Sequence, residues 1–228
     1  MKTIAIIGTG RMGSLLAKKL HSYYKLVLVD KNLRLCGLLA KELNAISTSD
    51  YSMISVSDYI IIALPANIIH NVMKEIKPFL NPNQLLVNIS TNTDKTTFNS
   101  LKGLCRFASA KIIGHARQIS SGELPLIVID GENHDDCLET ADIFGKLGAV
   151  CFGAEKMVQI INSIASEEGI KAAFNIEKKL EEKGIPSEYY SFAIRNVACG
   201  TMNAYVLGDA GHFAQKIIDK LKKEQGKN

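Results

Sequence analysis

The chain lacks several things that would define other classes of protein. It has no C-x-x-C pair, and its five cysteines (Cys36, Cys105, Cys137, Cys151 and Cys199) are odd in number. A disulfide framework is therefore not expected, and a reduced, cytoplasmic setting is. It has no apolar run long enough to span a bilayer. The longest, from Tyr59 to Ile69, is interrupted by Pro65 and Asn67, where a span needs about 20 residues. No signal-peptide pattern is read ahead of the first strand. No internal repeat or low-complexity stretch appears. Charge of one sign is also scarce, with a net charge of only +4 over 228 residues. The Lys-rich end (Lys216, Lys220, Lys222, Lys223, Lys227) reads as a solvated helix face and tail, so neither nucleic acid nor a membrane is expected as a partner. What remains is an apolar content of 46%, normal for a soluble globular protein.

Against that background the first thirty residues stand out. Thr3-Ile4-Ala5-Ile6-Ile7 is a short β-branched run suited to a strand buried on both faces. Gly8-Thr9-Gly10-Arg11-Met12-Gly13 follows with the spacing G-x-G-x-x-G. Ser14 to His21 then reads as a helix, and Lys25 to Val29 as a second strand ending at Asp30. In this context each residue has a job. Gly8 allows the tight turn, Gly10 lets a pyrophosphate approach the backbone, and Gly13 lets helix and strand pack closely. The helix N-terminus offers N–H groups and partial positive charge to phosphates. Asp30 is placed to accept hydrogen bonds from ribose hydroxyls and to repel a 2′-phosphate, which favours NAD over NADP. Lys31 and Arg34 oppose that preference, because either could pair with such a phosphate.

The alternation continues. A helix is expected over Leu33–Leu43, a short strand at Ala45-Ile46 and a helical turn capped by Ser49 or Asp50. A strand over Tyr59–Leu64 is stopped by Pro65, and Asn67 is expected to cap the next helix. Further strands are expected at Gln84–Ile89, Ala110–Ile113, Leu124–Ile129 and Val150–Phe152, with helices at Asp94–Lys102 and His134–Leu147. This is the pattern of a doubly wound, mainly parallel α/β sheet over 1–153. Its ligands bind beyond the carboxyl ends of the strands. After Phe152 no strand signal remains. A long helix over Ala154–Glu182 is expected, its apolar first half buried. A break at Gly184-Ile185-Pro186 follows, then helices over Glu188–Leu207, capped by Ser187, and Phe213–Glu224. The region 154–228 is therefore read as helical.

The polar segment Gly114–Gly122 follows a strand that should end near the coenzyme. His115 within it is the best proton donor, since its ordinary pKa suits exchange near neutrality. Ser120 and Ser121 are weaker candidates for holding a carboxylate. The consecutive His134-Asp135-Asp136-Cys137 is read as an acidic helix start and not as a metal site. Lys171 is read as the partner of Glu167 one turn away.

The opening Ile-Ile-Gly-Thr-Gly-Arg-Met-Gly resembles that of the pyrroline-5-carboxylate reductase family, which belongs with the β-hydroxyacid and prephenate dehydrogenases. Asp58 through Pro65 resembles the family's coenzyme-lining fourth strand, and Ala154 to Ser166 with Lys183-Gly-Ile-Pro186 resembles the start and break of its helical region. Ile113-Gly114-His115 looks like the Gly-His turn of prephenate dehydrogenases. The resemblance departs in places. Leu64-Pro65 stands where the reductases carry Lys-Pro, Asn162 stands where they carry Thr, and their C-terminal Gly-rich segment has no counterpart. The resemblance implies an NAD(P)-dependent oxidoreductase acting on a small imine or carbonyl compound, with a helical region that forms a homodimer. It implies that Gly8, Thr9, Gly10, Arg11, Met12 and Gly13, with Asp30 and Lys31, hold the coenzyme, and that Ala63, Leu64 and Pro65 line its groove. It also implies that Asn162 and Ser166, near the entry of the long helix, join His115 around the substrate. Two alternatives stay open: a non-catalytic dinucleotide-binding redox sensor or regulator, and a prephenate or β-hydroxyacid dehydrogenase-like enzyme.

Overall fold

The computed structural model describes residues 1–225; Lys227 of the Lys-rich end lies outside the described residues. The chain divides into two compact units, Met1–Ser163 and a second that begins at Ile164.

In the first unit the strands are β1 (Thr3–Ile7), β2 (Lys25–Val29), β3 (Ile46–Thr48), β4 (Tyr59–Ile62), β5 (Leu85–Asn88), β6 (Arg106–Ile113), β7 (Leu126–Asp130) and β8 (Ala149–Phe152). The helices are α1 (Arg11–Leu20), α2 (Leu33–Leu43), α3 (Ala66–Ile76), α4 (Ala116–Ser120), α5 (His134–Phe144) and the start of α6 (Glu155–Glu181). The strands form one sheet in the order β3-β2-β1-β4-β5-β6-β7-β8. The order turns back between β1 and β4, so the carboxyl ends of these two strands flank a crevice.

Side chains alternate across each strand, and both faces of this sheet are covered. Along β1, Ile4 and Ile6 pack with Leu16, Leu28 and Phe144 on one face. Ala5 and Ile7 pack with Val27, Ile60, Ile69 and Phe98 on the other. Each such large side chain, fully buried, contributes about 1.5–3 kcal/mol. That two-sided burial is why the strands read as unbroken apolar runs.

The expected mainly parallel α/β architecture is present. The one antiparallel pair among the described strands is β6 and β7, because the connection over 114–125 holds only the short α4 and returns along the same edge without crossing the sheet. Local corrections concern the element bounds and caps. β6 is longer than expected: Ser109 pairs with Asn88 at the end of β5, and Ala110–Ile113 overhang it. Asn67 does not cap α3. The chain turns helical at Ala66, directly after Pro65, and leaves Asn67 inside the first turn. Asp50 does cap its helical turn, accepting from Ser52 N at 2.8 Å.

The long helix brings the largest correction. Of the residues in α6 only Glu155 and Val158 are buried. Met157, Ile160, Ile161 and Ile164 are exposed in the single chain, although their sequence pattern reads as covered. In the second unit α6 ends at a turn where Gly184 has φ +70°. A 3₁₀ turn (Ser187–Tyr189), α7 (Tyr190–Phe192), a π-helical stretch (Ala193–Ala198) and α8 (Cys199–Leu207) follow, then α9 (His212–Gln225). The single helix expected from Glu188 is thus broken by a π segment, and Ser187 makes no side-chain cap. Lys171 pairs with Glu167 at 2.6 Å, as read from the sequence.

Candidate functional site

The site begins where β1 gives way to α1. Gly8 has φ +98°, and a Cβ there would lie 2.5 Å from the Ala63 carbonyl oxygen. Only glycine combines that φ with that closeness. A Cβ on Gly13 would lie 1.9 Å from the Gly8 carbonyl oxygen, so α1 rests directly on the turn. Gly10 is different: a Cβ there would meet nothing within 4 Å. Its missing side chain therefore serves no packing within the chain, and the space beside it is open. Gly10 caps α1 with no side-chain hydrogen bond, and the first turn holds no acid. The helix thus presents its first N–H groups and dipole to an anion, with no side-chain cap and no first-turn acid among the described residues to compete.

Thr9 fixes the shape of the turn. Its backbone N–H and its Oγ1 both donate to Asp30 Oδ2, at 2.6 and 2.8 Å. Its carbonyl accepts from Ser14 Oγ at 2.6 Å. Asp30 Oδ1 also accepts from Asn32 N at 2.8 Å. Burial favours the neutral acid, but the hydrogen bonds from Thr9 and Asn32 outweigh it and hold Asp30 below the usual carboxylate range. A carboxylate has about four acceptor sites, and the chain uses three. One acceptor site has no partner among the described residues.

Beside this turn lies a groove of about 430 Å³. Gly8, Gly10, Asp30 and Lys31 line one side and Ala63, Leu64 and Pro65 another. Tyr51, from the helical turn after β3, and Ile68, Asn71 and Glu75, from α3, also line it; these four were not singled out in the sequence because they lie outside the glycine turn and the strand ends read there. The structure thus brings together most of the residues expected at the coenzyme. Of the rest, Thr9 works through Asp30, Arg11 is exposed, and Met12 packs partly on the core.

The residues expected at the substrate are more dispersed. His115 is exposed, precedes α4 and makes no side-chain capping bond. Asn162 Nδ2 donates to the Ile112 carbonyl at 3.0 Å, near the end of the same strand. Ser166 is exposed and belongs to the second unit. Ser120 and Ser121 donate their hydroxyls to Ala116 and Arg117 carbonyls within α4, which occupies the hydrogens a carboxylate would need. His134-Asp135-Asp136-Cys137 opens α5 under an Asn133 cap.

One cluster escaped sequence reading. Lys111, in β6, is 1% exposed and donates to the carbonyls of Ser90 (2.5 Å) and Thr93 (2.8 Å). Its charge lies 3.4 Å from Glu155 Oε2, which receives no hydrogen bond. Glu155 Oε1 accepts from Lys95 N at 2.6 Å, and Asp130 accepts from both Lys95 Nζ and Glu155 N. Burial pushes the Lys111 ammonium below its usual range, against the pull of Glu155. The available signal was a lysine inside an apolar strand.

Residues 3–92 match the family model for NADP oxidoreductases, coenzyme F420-dependent, a stretch from β1 to just past β5. No curated protein matches the chain. Among solved structures, a pyrroline-5-carboxylate reductase from Coxiella burnetii is similar at 13% identity and TM-score 0.72, over 96% of this chain and 84% of that one. The pyrroline carboxylate reductase of Plasmodium falciparum, solved with NADP bound, gives 16% identity and TM-score 0.69 over 96% and 83%. An imine reductase from Myxococcus stipitatus, a variant in complex with NAD⁺, gives 18% identity and TM-score 0.63 over 98% and 78%. The expected likeness to the pyrroline-5-carboxylate reductases is therefore found in the fold, and the glycine turn lies within the matched oxidoreductase segment.

The contrast between two glycines is testable. Gly13→Ala should destabilise the protein by about 3 kcal/mol or more, because its Cβ meets backbone. Gly10→Ala should change stability by less than about 1 kcal/mol yet weaken NADH binding at least about tenfold. Denaturant melts and fluorescence titration read both. Unchanged NADH binding in Gly10→Ala would contradict the assignment of the open space to a pyrophosphate.

Proposed function

We propose that this chain is an NAD(P)-dependent oxidoreductase that transfers a hydride between the coenzyme and a small imine or carbonyl compound. The observation that carries the reading is the groove at the β1/β4 crevice, walled by Gly8 and Ala63 and open at Gly10. The residues fit a dinucleotide. The α1 N-terminus would hold the pyrophosphate, the remaining acceptor site of Asp30 a ribose hydroxyl, and Ala63–Pro65 the opposite wall. NAD is the preferred form, since Asp30 and Glu75 both line the groove and both would repel a 2′-phosphate. Lys31 and the exposed Arg34 are the opposing cations.

The coenzyme, when bound, supplies the hydride; the chain must orient the substrate and hold a proton. His115 is the proposed donor, because its imidazole is exposed and makes no capping hydrogen bond, and an imidazole can both give and take a proton. Asn162 and Ser166 share one face of α6 at i, i+4 spacing and are the proposed substrate contacts. A redox sensor without turnover gains support from the internal commitment of Asn162, Ser120 and Ser121.

We also assign a homodimer, and the cytoplasm as its compartment. The exposed apolar residues of α6 recur in the second unit, where Val206, Leu207 and Phe213 are each about four-fifths exposed. Large apolar side chains exposed in such number within each unit favour a covering partner. No helix among the described residues is long and apolar enough to cross a membrane, and a second copy is the partner the resemblance supplies.

Two measurements test these assignments. Cyclic imines and keto acids are screened with NADH, and His115→Ala is compared with the wild type. The enzyme reading expects a loss of kcat of about 10²-fold or more with coenzyme affinity unchanged. NADH binding without turnover of any imine or carbonyl would favour the sensor. Light scattering at micromolar concentration should give twice the chain mass of 24.9 kDa, and a monomeric mass would defeat the dimer.

A further inference from the structure

Two strands end side by side at the carboxyl edge of the sheet, and a third runs on past them. β4 ends at the groove, β5 at Asn88, and β6 overhangs both. Ile89 N still donates to the Ile62 carbonyl at 3.2 Å, so the turn that follows, Ser90–Thr93, starts one strand away from the Ala63 wall. On its other side stands Lys111.

This turn is built around the lysine. Its Ser90 and Thr93 carbonyls both accept from Lys111 Nζ. Asn88 closes the loop from below, donating to the Thr93 carbonyl at 3.0 Å and accepting from Ser90 N at 3.0 Å. With those carbonyls taken, the backbone N–H groups of Thr91 and Asn92 have no acceptor among the described residues. They are donors left over for water or a ligand. Stability alone does not call for the charge, because buried ion pairs are often replaced by apolar residues without loss. A shape that depends on one ammonium does call for it.

We propose that Lys111 is a positioning residue, whose buried ammonium clamps the Ser90–Thr93 turn in the shape that receives the nicotinamide end of the coenzyme. The proposal rests on the coenzyme reading above. The adenosine end is held elsewhere, by the glycine turn and Asp30. Lys111 therefore acts on one end of the dinucleotide and not on the other, which separates positioning from general support of the fold.

The test compares NADH with ADP-ribose, which carries the adenosine and pyrophosphate but no nicotinamide. Lys111→Met should raise the NADH Kd at least about tenfold and move the ADP-ribose Kd less than about twofold. Glu155→Gln, which keeps both carbonyl bonds to Lys111, should leave NADH binding within about threefold. If Lys111→Met does not fold, the double variant Lys111→Met, Glu155→Gln removes both buried charges and gives the same comparison. Parallel loss of both ligands, or loss of neither, would overturn the proposal. Should the wild type bind neither ligand, the coenzyme reading itself fails and the nicotinamide role with it. Hydrogen exchange over residues 89–94 then reads the clamp alone: faster exchange in the double variant supports it, and unchanged exchange overturns it.

Discussion

The hydrogen bonds between Asp30 and Thr9 are the constraint on which the site depends. One carboxylate oxygen takes both donors of the residue between the first two glycines. That contact joins the end of β2 to the turn after β1, so the second strand sets the conformation of the first loop. Gly8 can then lie against Ala63, Gly13 can lie against Gly8, and α1 starts with its N–H groups free. Asp30 thus builds the turn as well as lining the groove. Its low pKa follows from the same hydrogen bonds, and its charge is maintained wherever the fold is intact at ordinary pH.

Much of this was legible in the sequence, because it is local. A strand, three glycines at fixed spacing, a helix and an acid at the next strand end lie within thirty residues. Their geometry follows from sterics that need no distant partner. The ends of β4 and β5 were legible for a similar reason: strands buried on both faces read as continuous apolar runs bounded by Pro65 and by the polar stretch after Ile89. What was not read depended on the rest of the fold. Which strand of the mainly parallel sheet runs the other way is set by the return path of 114–125, which has no sequence period. Asn67 is a good capping residue, but Pro65 had already started the helix.

The long helix gives the same lesson from the other side. Met157, Ile160, Ile161 and Ile164 say correctly that the surface is apolar. They do not say what covers it, and within one chain nothing in the described residues does. The Lys111 cluster was missed for a related reason. Lys95, Lys111, Asp130 and Glu155 are far apart in sequence, and although Lys111 stands out inside an apolar strand, the other three look like ordinary charge. Only the meeting of the 3₁₀ helix Lys95–Leu101 with β6, β7 and α6 makes them one network. The surroundings of His115 share this non-local character, so the groove beside the glycine turn was read in more detail than they were.

The central claim is that the crevice between β1 and β4 holds a nicotinamide dinucleotide, with NAD preferred. A melting-temperature titration with NAD⁺, NADH, NADP⁺ and NADPH tests it most directly. A ligand that binds only the folded protein adds about 2.7 kcal/mol at 100 times its Kd. The account predicts a saturable rise in melting temperature that is larger for NADH than for NADPH. The reverse order would mean that Lys31 and Arg34 outweigh Asp30 and Glu75. No shift with any of the four would contradict the claim, and the glycine turn would then be a feature of packing alone.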